Sequence, residues 1–309
     1  MPILSGFLHR LQYVYNKQDT VKEFFLSYFD RIMRSAGKDT SFYHRERTKR
    51  LMSKISSVLI KENDCYRIKD IRLPLLDVHN EHSLVSEVFG DTFWSYAYCD
   101  DKYDEETFDK CDKFLGEGLY GLVNDKVNVT VKAGDIVIDA GSWIGDFAAY
   151  AAVKGAKVYA FEPSERTFQL LEQTARLNGN IIPVKKGLSD TNTIRQFFFD
   201  VNNNSSGDGL SVRNTKTKNA HQVETVTIDD FVRENNLPRV DFIKSDIEGF
   251  ERHMLAGAQE TLRCFAPKLA LCTYHLPDDP QVMAELILKA NPKYNIVQKR
   301  MKLFASVPD

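Results

Sequence analysis

The stretch that most constrains this chain is Val137-Ile138-Asp139-Ala140-Gly141-Ser142-Trp143-Ile144-Gly145. An apolar run of strand length gives way to a turn of small residues. An alanine-rich helical segment over 147–154 follows and is stopped by Gly155. A strand that turns over glycine directly into a helix opens a parallel β-α-β unit, and the alternation continues downstream. Strands are predicted at 136–139, 157–161, 181–184, 195–199, 224–227, 240–244, 269–274 and 294–297, with helices between most of them. The polar stretch 202–222 reads as a mobile loop, within which Ser205–Leu210 is a candidate cover for a ligand. The fold class is therefore α/β, built on a parallel sheet.

The first 60 residues carry a different pattern. Aromatic and aliphatic residues recur at spacings of three and four (Phe7, Leu11, Val14; Val21, Phe24, Phe25, Tyr28), which predicts helices, a third one running from 43 to 60. A division follows: residues 1–90 as a helical region that serves as a substrate lid or a homodimer surface, and 91–309 as the main domain. Residues 1–61 are net basic and 62–128 net acidic, which two solvated faces of opposite sign explain. Over the whole chain 41 Lys+Arg balance 43 Asp+Glu, so a nucleic-acid partner has no electrostatic footprint. Five dispersed cysteines with no C-x-x-C pair point to a reducing, cytoplasmic setting rather than a disulfide framework or a zinc ribbon. No apolar run reaches the length of about 20 residues that a membrane span needs.

The turn itself narrows the ligand. A dinucleotide fingerprint wants glycine at 141, 143 and 146, where this chain has Gly, Trp and Asp. Asp139 and Asp146 would repel a pyrophosphate, whereas a carboxylate beside the turn suits an ammonium such as that of S-adenosylmethionine (SAM). Gly141 lets the backbone approach the ligand, Gly145 allows close helix-strand contact, and Ser142 lies between them. Glu162 ends the second strand, where an acid accepts hydrogen bonds from both hydroxyls of a ribose. Pro163 fixes the next turn and Ser164 is placed to cap the helix. Gly187 and Leu188, after the third strand, are positioned to flank an adenine ring.

These residues resemble the FkbM-type SAM-dependent methyltransferases over roughly 120–275. The resemblance is carried by Gly134–Gly141, Phe161-Glu162-Pro163, Leu188-Ser189-Asp190 and Val226–Phe231. Its most specific pieces are Asp241–Glu251, with the pattern Lys-x-Asp-x-Glu-Gly, and then Ala256-Gly257-Ala258. It implies a class I (Rossmann-like) methyltransferase fold, a seven-stranded mostly parallel sheet with helices on both faces, and O-methylation of a small-molecule or glycan acceptor. Tyr120 enters the donor site at the start of the matched region.

A hydroxyl acceptor calls for a base, and two candidates follow strand ends. Asp246 is assigned to both the donor and the acceptor side, and His275 has the more natural pKa for a base near neutrality. Lys244, on the same strand face as Asp246, is expected to orient the acid or the acceptor oxygen. Ser245-x-x-Glu248 reads as a capping box for the helix that follows. Asp246, Glu248 and His275 together would also suit a divalent metal, but the favoured reading has none. The competing functions are a nicotinamide-dependent oxidoreductase, which Trp143 and Asp139 disfavour, and a non-catalytic module of the same fold.

Overall fold

A computed structural model describes residues 59–68, 70–75, 120–200, 218–299 and 302–308. The helices expected before residue 59 and the loop Ser205–Leu210 lie outside these residues.

The chain enters as a three-stranded antiparallel meander, β1 (Leu59–Lys61), β2 (Cys65–Ile68) and β3 (Ile71–Pro74). Helix was expected to run to residue 60, so its last two positions are a correction: Leu59 and Ile60 pair with Ile68 and Arg67. A short hairpin follows, β4 (Leu122–Val123) and β5 (Asn128–Val129). The main layers are β6 (Ile136–Ala140), α1 (Asp146–Val153), β7 (Lys157–Phe161), α2 (Glu165–Asn178), β8 (Ile181–Val184) and β9 (Gly187–Leu188). Then come β10 (Thr193–Asp200), β11 (Lys218–Val226), α3 (Ile228–Glu234), β12 (Phe242–Ser245), α4 (Glu251–Ala256) and α5 (Gln259–Phe265). The chain ends with β13 (Lys268–Cys272), α6 (Asp279–Ala290), β14 (Asn295–Lys299) and β15 (Lys302–Ser306).

Seven strands form the central sheet in the order β14-β15-β13-β12-β6-β7-β8, and β15 runs opposite to the other six. Side-chain alternation covers both faces. Val137, Val158, Ala160 and Phe242 enter a core shared with α1 and Leu171 of α2. Their neighbours Ile138, Tyr159, Phe161 and Ile243 enter a second core built with α3, α4, α5 and α6. This is the seven-stranded, mostly parallel sheet with helices on both faces that the resemblance implied. The meander docks on the outer helical layer: Asn178, the last residue of α2, accepts from Arg72 N at 2.9 Å and donates to Arg72 O at 2.7 Å.

Two local expectations are corrected. Residues 218–222, read as loop, are strand; they pair antiparallel with Gln196–Asp200 in a separate sheet, order β10-β11-β9. The close contact at Gly145 is between helices rather than helix and strand. A Cβ at that position would stand 2.7 Å from Leu171 Cδ1 and 3.0 Å from Thr174 Cγ2, on a backbone at φ +88. Gly145→Ala is accordingly expected to destabilise the domain by about 1–3 kcal/mol, from left-handed strain plus overpacking. Urea unfolding would show it as a lower midpoint at unchanged slope, and a midpoint equal to wild type would refute it.

Candidate active site

The carboxyl ends of the parallel strands gather the chemistry-bearing residues, as expected for an open α/β sheet. Register makes the first connection: Lys244 on β12 lies directly beside Asp139 on β6. Both side chains are buried, with Lys244 Nζ 3.0 Å from Asp139 Oδ1. The same ammonium donates to Gly141 O at 2.6 Å. Burial would lower the Lys244 pKa, but the carboxylates of Asp139, Asp246 and Asp146 more than reverse this and hold it above the ordinary lysine range. Asp139 is thus wholly buried and paired with a lysine, rather than presented to a ligand's ammonium. Lys244 joins the turn to the sheet.

The turn is held from three sides. Gly141 N and Ser142 N both donate to Phe161 O, and Ser142 Oγ donates to Asp139 O. Gly141 has φ +73, and a Cβ there would collide with the backbone carbonyl of Asp246. Its glycine is therefore required by the neighbouring strand's loop as well as by any ligand. Trp143 adopts φ +49, uncommon for a bulky residue, and its N–H donates to Glu162 Oε2 at 3.0 Å.

Glu162 is buried at the end of β7, and its other oxygen accepts from Ser164 N at 2.9 Å. Burial pushes its pKa up to about 7 against the lowering pull of these backbone N–H groups. A carboxylate has about four acceptor positions, so a diol could still donate to it. This desolvated acceptor beside a tight backbone turn fits the adenosine portion of SAM. Pro163 and Ser164 lead into α2; Ser164 occupies the N-cap position, but its side chain makes no capping hydrogen bond. Gly187 and Leu188 are buried and pair with Thr225 and Val226. Asp190, just beyond them, contacts His253 and Arg195.

On the acceptor side, Asp246 accepts from Tyr120 Oη at 3.2 Å and from Tyr274 Oη at 2.7 Å. The Tyr120 ring packs edge-on against Phe147, and its face meets Lys302 Nζ at 4.4 Å. His275, whose side chain is fully buried, places Nε2 3.7 Å from Asp246 Oδ1 and 3.5 Å from Glu248 Oε2. Its Nδ1 lies 3.1 Å from Glu251 Oε1. Burial alone would lower the imidazole pKa; the Glu248, Glu251 and Asp246 carboxylates outweigh it and push the value up to about 10.

The expected capping box at Ser245 and Glu248 does not form. The helix starts later, at Glu251, and Ser245 Oγ is buried without a hydrogen-bond partner among the described residues. Glu251 closes the loop instead, accepting from Ile247 N at 2.9 Å and Gly249 N at 3.0 Å. Glu251 and Tyr274 are the site residues that sequence reasoning left without a role. An acid in the first turn of a helix was the available signal for Glu251.

The Methyltransferase FkbM domain model matches residues 139–294. Hexuronic acid methyltransferase AglP of Haloferax volcanii is 29% identical over 157 residues, which are 50% of this chain and 62% of that protein. The match thus spans less than two thirds of that relative's length. The crystal structure of methyltransferase FkbM from Methylobacillus flagellatus KT has TM-score 0.43 and 20% identity, covering 74% of this chain and 56% of its own. Aeropyrum pernix fibrillarin, solved with natively bound SAM, has TM-score 0.37 and 14% identity, covering 61% of this chain and 71% of its own. Likenesses this distant do not bear on activity.

Proposed function

The chain belongs to the FkbM methyltransferase family, and from that premise we propose that it is a SAM-dependent O-methyltransferase acting on a hydroxyl of a sugar, glycan or natural product. The observation that carries this reading is the juxtaposition of a buried ribose-type acceptor, Glu162, a tight glycine turn at Gly141, and an Asp246-centred polar cluster at one sheet edge. Hexuronic acid methyltransferase as the name of a relative supports a sugar acceptor.

When bound, SAM supplies a methyl carbon on a sulfonium. Transfer needs an acceptor oxygen in line with it, and the C–S electron pair stays on sulfur. The hydroxyl proton goes to a base, and that role belongs to Asp246 rather than His275. An imidazole surrounded by three carboxylates already holds a proton near neutrality. Tyr120 and Tyr274 aim the Asp246 carboxylate, Lys244 fixes the turn that carries the donor, and Glu162 receives the ribose. Residues 1–90 as a lid or dimerisation surface, with the part over 59–74 β-stranded, complete the proposal. Among the described residues no helix is long and apolar enough to cross a membrane. Cys65, Cys264 and Cys272 are free thiols, in keeping with a cytoplasmic setting.

Calorimetry with S-adenosylhomocysteine (SAH) tests the donor site through the pH dependence of Glu162. Its folded pKa is raised to about 7, and ribose hydroxyls donate to the ionised form. Affinity is therefore full above that pH and falls as pH drops through it. The expected loss is about tenfold between pH 8 and pH 6, one pKa unit being about 1.4 kcal/mol. Glu162→Gln should bind more weakly at pH 8 and lose the dependence. A flat wild-type profile would remove Glu162 from the ribose role; tight NAD binding without an SAH signal would replace the methyltransferase reading with the oxidoreductase.

A further inference from the structure

We propose that His275, Asp246 and Glu248 form a divalent-cation site on the acceptor side, with Glu251 as the carboxylate that orients the imidazole. The inference rests on the methyltransferase reading for its role, but not for its geometry. Ligand atoms of Asp246, Glu251 and His275 lie within 4.8 Å of one another, and Glu248 joins this group through its Oε2, 3.5 Å from His275 Nε2. His275 is only 7% exposed, and neither of its ring nitrogens makes an aligned hydrogen bond among the described residues. Its Nε2 faces oxygens at 3.5 and 3.7 Å. Such separations are too long for hydrogen bonds. They are the spacing of neighbouring ligands on one ion: groups at about 2.0–2.5 Å from a metal stand roughly 3–4 Å apart.

The surroundings have the layout of a built site. Glu251 is fully buried and its two oxygens each accept a backbone N–H, from Ile247 and Gly249, while Oε1 faces His275 Nδ1. That is the position of a carboxylate that sets the orientation of a metal-bound histidine from behind. The same two hydrogen bonds flank Glu248 and hold its backbone at φ +56. The side chains of Asp246 and Glu248 are 27% and 19% exposed, which leaves open coordination positions toward the acceptor. One imidazole with carboxylates suits an ion of the Mn²⁺ or Zn²⁺ kind, which takes the place of the Nε2 proton that the carboxylates hold in its absence. An acceptor hydroxyl on an open position would be acidified and its developing alkoxide stabilised. Its proton would pass to Asp246 Oδ2, the oxygen facing Tyr120 rather than His275.

The test uses the full-length protein, stripped with a chelator and titrated with Mn²⁺ alone while the free-ion electron paramagnetic resonance signal is followed. One Mn²⁺ per chain is expected, with affinity at least tenfold weaker in His275→Ala and in Glu248→Gln, and about 10–100-fold weaker in Glu251→Gln. SAH affinity should be unchanged in Glu248→Gln, whose partly exposed position keeps the test valid if His275→Ala fails to fold. Absence of stoichiometric Mn²⁺ binding by wild type, or wild-type binding by Glu248→Gln and His275→Ala, would overturn the site. If SAH binds and methyl transfer proceeds fully in chelator, the cation site alone fails. If SAH does not bind, the methyltransferase reading fails whatever Mn²⁺ does.

Discussion

Lys244→Met is expected to destabilise the domain by about 3–5 kcal/mol, the cost of stranding one member of a buried ion pair. Methionine keeps the unbranched shape and fills most of the same volume, so a cavity contributes little. What is lost is the cation paired, among the described residues, with Asp139, whose side chain is 0% exposed and whose Oδ2 has no hydrogen-bond partner among them. Gly141 O loses its 2.6 Å donor at the same time. Adding Asp139→Asn to Lys244→Met replaces a stranded charge by a neutral amide, whose unsatisfied burial costs about 1–3 kcal/mol. The double variant should therefore be more stable than Lys244→Met alone, a non-additivity that urea unfolding of the four proteins would measure. A double variant as unstable as the sum of the two singles would show that the pair is not coupled. SAH affinity should fall in Lys244→Met even where the chain is folded, because the ammonium fixes the donor turn.

That coupling also shows where sequence reading stops. The strand-turn-helix at 137–145 was legible because its apolar period, its glycine and its following helix are all local. The acid at the end of β7 was legible because its position relative to that turn is fixed by a β-α-β connection. Asp139 and Lys244 are 105 positions apart in number, yet they are neighbours because β12 lies beside β6, which only the sheet order reveals. Lys302–Ser306 was overlooked for a related reason. It is a short apolar run after a charged pair, and its burial comes from insertion between β14 and β13. The capping box failed because Ser245 still belongs to the strand. The chain then needs five residues of loop, including left-handed Glu248 and Gly249, before a helix can start. The strand expected to reach residue 274 ends at Cys272, three residues before His275, and the carboxylates around that histidine come from the loop and helix after another strand. Its ordinary pKa was therefore the wrong guide.

Asp246→Asn is expected to lower kcat by about 10²–10⁴-fold, the usual range for removing a general base. Asparagine keeps the size of the side chain and one carbonyl oxygen, so one tyrosine hydroxyl still finds an acceptor; it cannot take a proton. The two phenols at 3.2 and 2.7 Å aim this carboxylate. Tyr274→Phe should give a milder loss, since the carboxylate remains but one hydrogen bond, worth about 1.5–3 kcal/mol to a charged group, is gone. Steady-state kinetics with any hydroxyl acceptor found by radiolabelled methyl transfer would check both. A cation at the same cluster makes the experiment sharper. Glu248→Gln at saturating Mn²⁺ should recover turnover, because it weakens a ligand but leaves the proton acceptor in place. Asp246→Asn should stay slow at any Mn²⁺ concentration. Recovery of Asp246→Asn by Mn²⁺ would mean that the aspartate acts as a ligand only, and that the hydroxyl proton leaves by another route.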